Sequence, residues 1–168
     1  ESAQGEYKLS EQCAAYLDNA EEYGLEPLIV LGGGNALYMP GDSADDFPKT
    51  EAELNGFSDY VYNLVAELKG RVKYYEVWNE FDHVENGTAA DYVKILKAAY
   101  DAAKRADPQV KIIGMAGGRE ESFYKGVGEN GGYEYMDIFS FHNYPDTAPE
   151  NGELLSGIKK LINSYAGD

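Results

Sequence analysis

Four short apolar runs, separated by helical patterns, constrain this chain more than any other feature. The runs are Pro27-Leu28-Ile29-Val30-Leu31, Val72 to Trp78, Val110 to Met115 and Met136 to Phe141. A strand with one face in water alternates polar and apolar residues, whereas runs this largely apolar, the first of them wholly so, read as strands covered on both faces. Helices between such strands argue for a parallel sheet, with right-handed crossovers that place the helices outside it. The helical patterns are explicit. Residues 10 to 23 form the first, stopped by Gly24. Thr50 and Glu53 have capping-box spacing, and Phe57, Val61, Leu64, Val65 and Leu68 then give one apolar stripe before Gly70. Thr88 is placed as N-cap of a helix from about Ala89 to Ala106, which Asp107-Pro108 ends. A short helical piece is expected from Glu120 to Gly126, and a last helix carries Leu154, Leu155, Ile158, Leu161 and Ile162.

Two architectures fit this order, an open doubly wound sheet and a β/α barrel. A barrel has eight strand–helix units in about 250 residues. Four strands in 168 residues therefore make only part of one. With no linker or low-complexity stretch, residues 1–168 read as a single structural unit.

Composition narrows the ligands. Fourteen Lys and Arg against 30 Asp and Glu give a net charge of −16, a field that repels phosphate backbones and anionic lipid. Nucleic acid and membrane are thus not expected as partners, and no apolar run approaches the ~20 residues of a bilayer span. Neutral ligands meet no such penalty, and 15 tyrosines supply flat apolar faces that carry hydroxyls. The single cysteine, Cys13, excludes an internal disulfide and a cysteine-rich metal site. The opening residues Glu1-Ser2-Ala3-Gln4-Gly5 have neither the basic flank nor the apolar core of a signal peptide.

In parallel α/β folds ligands bind where strands finish. The four ends carry Gly32-Gly33-Gly34-Asn35, Asn79-Glu80-Phe81-Asp82-His83, Gly117-Gly118-Arg119 and His142-Asn143-Tyr144. A carboxyl at the end of a buried strand is partly desolvated, which favours the protonated form that a general acid needs, so Glu80 is the candidate catalytic residue. Asn79 can donate to a substrate hydroxyl, and Trp78 can stack on a ligand or pack in the core. His142 and Tyr144, two apart, share one side of an extended segment. Glu76 is expected to point into the sheet or barrel interior, and His83 toward solvent. His83, His142, Asp82 and Glu85 follow no recognised metal-ligand spacing, so neither a metal nor a cofactor is expected. The triple glycine lacks the Lys-Ser/Thr pair of a phosphate loop and reads as close backbone approach beside a ligand, or as turn chemistry. No Gly-x-Ser-x-Gly elbow is present.

Tyr74-Tyr75-Glu76-Val77-Trp78-Asn79-Glu80 resembles the fourth-strand acid/base motif of clan A glycoside hydrolases, retaining enzymes built on a β/α barrel of the TIM type. Gly34-Asn35-Ala36-Leu37-Tyr38 is similar to the third-strand end of family 39 and its polysaccharide-degrading relatives, usually written Gly-Asn-Pro-Leu-Tyr. Ser140-Phe141-His142-Asn143-Tyr144 resembles their sixth-strand His-x-Tyr, and Tyr92 to Pro108 the helix between strands four and five. The resemblance covers roughly strands three to six. It implies that Glu80 is the general acid/base, that Asn79 holds the hydroxyl beside the reacting carbon, that His142 and Tyr144 line the central subsite, and that Asn35 and Tyr38 line a neighbouring one. Phe81, Gly32, Gly33 and Ala36 depart from the family pattern, which bears on the substrate more than on the reaction.

The resemblance implies a retaining hydrolase of β-glycosidic bonds in a polysaccharide or oligosaccharide, without cofactor, acting outside the cell or in the periplasm. Its nucleophile carboxylate would lie on strands from additional sequence or another chain, because Glu76 is too near Glu80 along one strand to attack from the opposite face. A non-catalytic carbohydrate-binding or scaffold module of the same descent is the second reading. An open-sheet ligand-binding domain is a remote third.

Overall fold

The computed structural model describes residues 3–39, 46–117, 121–142 and 148–166. Its centre is one parallel sheet of four strands, β1 (Leu28–Leu31), β2 (Tyr74–Val77), β3 (Lys111–Gly117) and β4 (Ile138–Phe141), in the order β1-β2-β3-β4. Each new strand joins beside the last, with no reversal of direction across the sheet. A doubly wound sheet requires such a reversal, and a β/α barrel does not. The architecture is therefore part of a TIM-type barrel, one of the two that the strand pattern leaves open and the one the resemblance implies.

The helices are α1 (Glu11–Glu22), α2 (Glu51–Glu67), α3 (Ala89–Ala106), α4 (Glu121–Glu129) and α5 (Ala148–Ala166). Their caps follow the sequence. Ser10 accepts from the Cys13 amide, Thr50 and Glu53 form the reciprocal capping box, and Thr88 accepts from the Asp91 amide. Gly24, at φ 65°, and Gly70, at φ 81°, stand just beyond α1 and α2. The α4 helix runs three residues past the expected stop at Gly126. That glycine faces α3, where a Cβ would come within 2.8 Å of Ala89, and Gly128 lies against Tyr165. Both glycines serve close packing rather than termination.

The two faces of the sheet differ. Leu31, Tyr75, Val77 and Ile112 are fully buried on the helix side, with Val61, Val65, Ile95 and Leu96 of α2 and α3. Burying each such aliphatic side chain contributes about 1.5–3 kcal/mol. On the opposite face Val30, Glu76, Ile113 and Ile138 stand in one row across the register. Val30 is 47% and Ile138 38% exposed, while Glu76 is half-buried. This is the lumen side of a barrel wall, and Glu76 points where the sequence placed it. Among the described residues β1 and β4 are each paired along one edge only.

Asp137 fastens the start of β4 to β3. Its carboxylate accepts from the Ile112 amide at 2.8 Å and lies 2.8 Å from Lys104 Nζ and 3.5 Å from Lys111 Nζ. Its own amide donates to Ile112 O. Burial pushes this carboxyl up, but the Lys104 hydrogen bond, the Ile112 amide and the two lysine charges together hold it below the usual range. A lowered folded value stabilises the fold at every pH above the unfolded value near 4, and this contribution disappears as pH falls through the folded value. Asp137→Asn is expected to cost about 2 kcal/mol at pH 7 in a urea titration. The difference from the parent should narrow steadily below about pH 4.

Candidate active site

Ladder pairing between β2 and β3 stops at Glu76 and Ile113. Beyond that row a side chain from α3 replaces the missing backbone bonds. The Tyr92 hydroxyl donates to Val77 O at 3.1 Å and accepts from the Met115 amide at 2.7 Å. Its ring is fully buried between Phe81, at 5.3 Å, and Phe123, at 5.8 Å. Burial raises the Tyr92 pKa far above its ordinary value, opposed by the Met115 hydrogen bond, so the hydroxyl stays protonated and keeps its donor. The strand ends thereby part without orphaning buried polar groups.

The chain turns sharply at this point. Trp78 (φ 65°) and Glu80 (φ 49°, ψ 50°) are left-handed, as is Met115 (φ 84°) beside the register irregularity of β3. For a non-glycine residue this costs about 1–2 kcal/mol, and such strain concentrates at functional sites. The 3₁₀ turn Phe81–His83 follows, with the His83 amide donating to Glu80 O at 2.9 Å. The Trp78 amide donates to Leu31 O at 2.7 Å. The run expected to be strand up to Trp78 thus leaves the sheet one residue earlier. The Trp78 indole is 2% exposed, edge-on to Phe81 and against Gly32, where a Cβ would come within 3.3 Å of it. Packing engages most of its surface.

This turn swings Glu80 toward the end of β4. Glu80 Oε1 lies 2.8 Å from His142 Nδ1, with the side chains 36% and 27% exposed. The His142 amide donates to Gly117 O at 2.7 Å, as does the Tyr124 hydroxyl at 3.3 Å, so the ends of β3 and β4 are tied together. A protonated Nδ1 donates to Oε1 of the Glu80 carboxylate, and equally to Oε1 of the acid whose proton is on Oε2. In both states one oxygen is held and the second, with or without its proton, is left for a reacting group. Asn79 is exposed beside it.

Asn79, Glu80 and His83 line a cleft of about 350 Å³ together with Gly32 and Gly33. A second cleft of about 230 Å³, lined by Asn35, Tyr38 and Tyr60, shares those two glycines. Asn35 shapes its loop: the Oδ1 accepts from the Leu37 amide at 3.0 Å, and its carbonyl accepts from the Tyr38 and Met39 amides. The Tyr38 ring lies on Gly56 of α2, where a Cβ would approach it to 2.4 Å. The Tyr38 hydroxyl accepts from the Gly5 amide at 3.0 Å.

The structure therefore joins Glu80, Asn79 and His142 in one place and puts Asn35 and Tyr38 in the adjoining cleft. Tyr144 lies outside the described residues. His83, read as solvent-facing, is 63% exposed yet lines the Glu80 cleft. Its neighbour Asp82 turns inward with a side chain 1% exposed, against Gly117. Burial, and next the Asp82 charge, push the Tyr124 hydroxyl up to about 12. The residues missed by sequence reading are Tyr92 and Gly56. Tyr92 stands near the start of a helix as one more large apolar residue, and only its hydroxyl hints at a second role. A glycine inside a helix costs roughly 0.5–1 kcal/mol relative to alanine, and that cost was the available signal for close packing at Gly56.

Comparison with solved structures places this geometry. The chain superposes with a TM-score of 0.72 on a family 39 glycoside hydrolase from the gut symbiont Bacteroides cellulosilyticus WH2, at 30% identity over 84% of this chain and 30% of that one. The likeness is to the clan A glycoside hydrolases. A GH39 β-xylosidase from Caulobacter crescentus (TM-score 0.74, 18% identity) is matched over 99% of this chain and 40% of its own. A GH10 xylanase from Thermobacillus composti (0.63, 17%) is matched over 96% and 52%. These two, at low identity, share the fold. The chain spans about a third of the length of the first glycoside hydrolases it matches. Neither a protein-family model nor a curated protein matches it.

Replacing Tyr92 by Phe keeps the ring and orphans Val77 O and the Met115 amide. The expected cost is about 1–3 kcal/mol. In hydrogen exchange the Met115 amide should lose protection first among the β3 amides. Unchanged protection there would place the tie elsewhere.

Proposed function

We propose that this chain carries the acid/base half of a retaining β-glycoside hydrolase active site, acting on a polysaccharide or oligosaccharide. The observation that carries the reading is Glu80 held at the mouth of a barrel wall by His142 at 2.8 Å, with Asn79 beside it on the same turn. The 30% identity to a family 39 glycoside hydrolase supports it. Glu80 first donates its proton to the glycosidic oxygen as the bond to the anomeric carbon breaks. It then takes a proton from the water that releases the sugar. Asn79 hydrogen-bonds the hydroxyl next to the reacting carbon. His142 keeps the carboxyl in one rotamer through both steps, since Nδ1–H donates to Oε1 whether or not Oε2 carries the proton. The nucleophile is a carboxylate about 5–5.5 Å from Glu80, supplied by a strand beyond these four. Glu76 lies on the same strand as Glu80 and half-buried in the lumen row, which does not suit that role.

Assayed on β-glycosides in the longest native form of the protein, Glu80→Gln is expected to lower kcat/KM by about 10²–10⁴-fold. His142→Ala should lower it less, because it removes only the support of the carboxyl. If Glu80→Gln keeps parental turnover, the assignment fails. Sugar binding with no turnover in the parent would favour the carbohydrate-binding module.

A further inference from the structure

We propose that Gly33 is a specificity-determining position, left without a side chain so that a β-linked glycan of two or more units crosses the backbone between the two clefts. The proposal rests on the reading of the Glu80 cleft as a glycan site and deepens it. Both clefts are lined by Gly32 and Gly33, so one strip of bare backbone is their common floor. The two glycines have different reasons to be there. Gly32 is fixed by packing, because a Cβ would press on the Trp78 ring at 3.3 Å. Gly33 is under no such pressure: at φ +85° a Cβ would have no heavy atom within 4 Å. At φ +85° any side chain is strained, and Asn and Asp are the residues that bear positive φ at least cost. A side chain at 33 would stand in open space where the clefts meet.

The chemistry on either side suits one kind of occupant. Glu80 and Asn79 offer hydrogen bonds at one end, and the Tyr38 and Tyr60 rings border the other. Among the described residues neither cleft is lined by Lys or Arg, and the chain as a whole carries −16. A neutral ligand with apolar faces and many hydroxyls fits that lining, and an anionic one does not. A single sugar would fill one cleft. A linked pair must pass over Gly33.

Trp78 is the only tryptophan of the chain and lines the Glu80 cleft, so its fluorescence reports occupancy there. The 168-residue chain would be titrated with β-1,4-linked gluco- and xylo-oligosaccharides of one to six units. Affinity should rise by about tenfold from one unit to two or three in at least one series. Gly33→Asn and Gly33→Asp should abolish that rise, leave the single-unit Kd within about twofold, and lower the melting temperature by only about 2–8 °C, the strain of a side chain at positive φ. Loss at every length alike, no loss at any length, or no oligosaccharide binding by the parent would each overturn the proposal. Failure of the acid/base reading would show in turnover by the longest native form, and failure of the Gly33 proposal in the length dependence of binding by the parent and the Gly33 variants.

Discussion

The Tyr92 hydroxyl is the polar group that lets β2 and β3 separate at their ends without leaving Val77 O and the Met115 amide unpaired. A parallel ladder continued to Trp78 would keep the following residues in the plane of the sheet. Once the strands part, Trp78 and Glu80 take left-handed conformations, the 3₁₀ turn closes beneath them, and the Glu80 carboxyl comes to face the end of β4. His142 then meets it at 2.8 Å because its own amide is fastened to Gly117 O. The strain in this turn is held by burial below it. Phe81 is fully buried and touches Phe47, Trp78, Tyr92 and Phe123, so relaxing the turn would pull a large ring out of the core.

The rest of the wall serves the same arrangement. The strand order β1-β2-β3-β4 carries the three loops that bear Asn35, Glu80 and His142 along one rim. Asp137 and its lysines sit at the opposite end of the strands and set the β3–β4 register from there. The Asp137 ion pairs and the candidate site thus lie at opposite ends of the sheet, the usual division in barrels of this kind.

Much of this could be read directly from the residues. The apolar runs indicate the strands, Thr50 and Thr88 mark the starts of α2 and α3, the strand-end rule points to Asn35, Asn79, Glu80 and His142 as candidates, and the resemblance adds Tyr38. What the sequence concealed has common physical causes. Positive φ at Trp78 and Met115 is set by tertiary contact, since no intrinsic preference puts a bulky residue there. Trp78, for which the sequence leaves stacking or packing open, packs its ring on Gly32 and Phe81 and still borders the Glu80 cleft. The helical piece expected from Glu120 to Gly126 runs on to Glu129, because Gly126 packs against Ala89 without ending the helix. His83 was set aside on local pattern, and only the turn after Glu80 brings it to the cleft.

The central claim is that Glu80 is the proton donor and acceptor at the rim. Exogenous azide tests it most directly. With Glu80→Ala in the longest native form and an aryl β-glycoside bearing a good leaving group, the first step needs little acid and the second lacks its base. Azide, which needs no deprotonation, should restore turnover and give a β-glycosyl azide of retained configuration. Unimpaired hydrolysis by Glu80→Ala, or impaired hydrolysis that azide does not restore, would contradict the assignment.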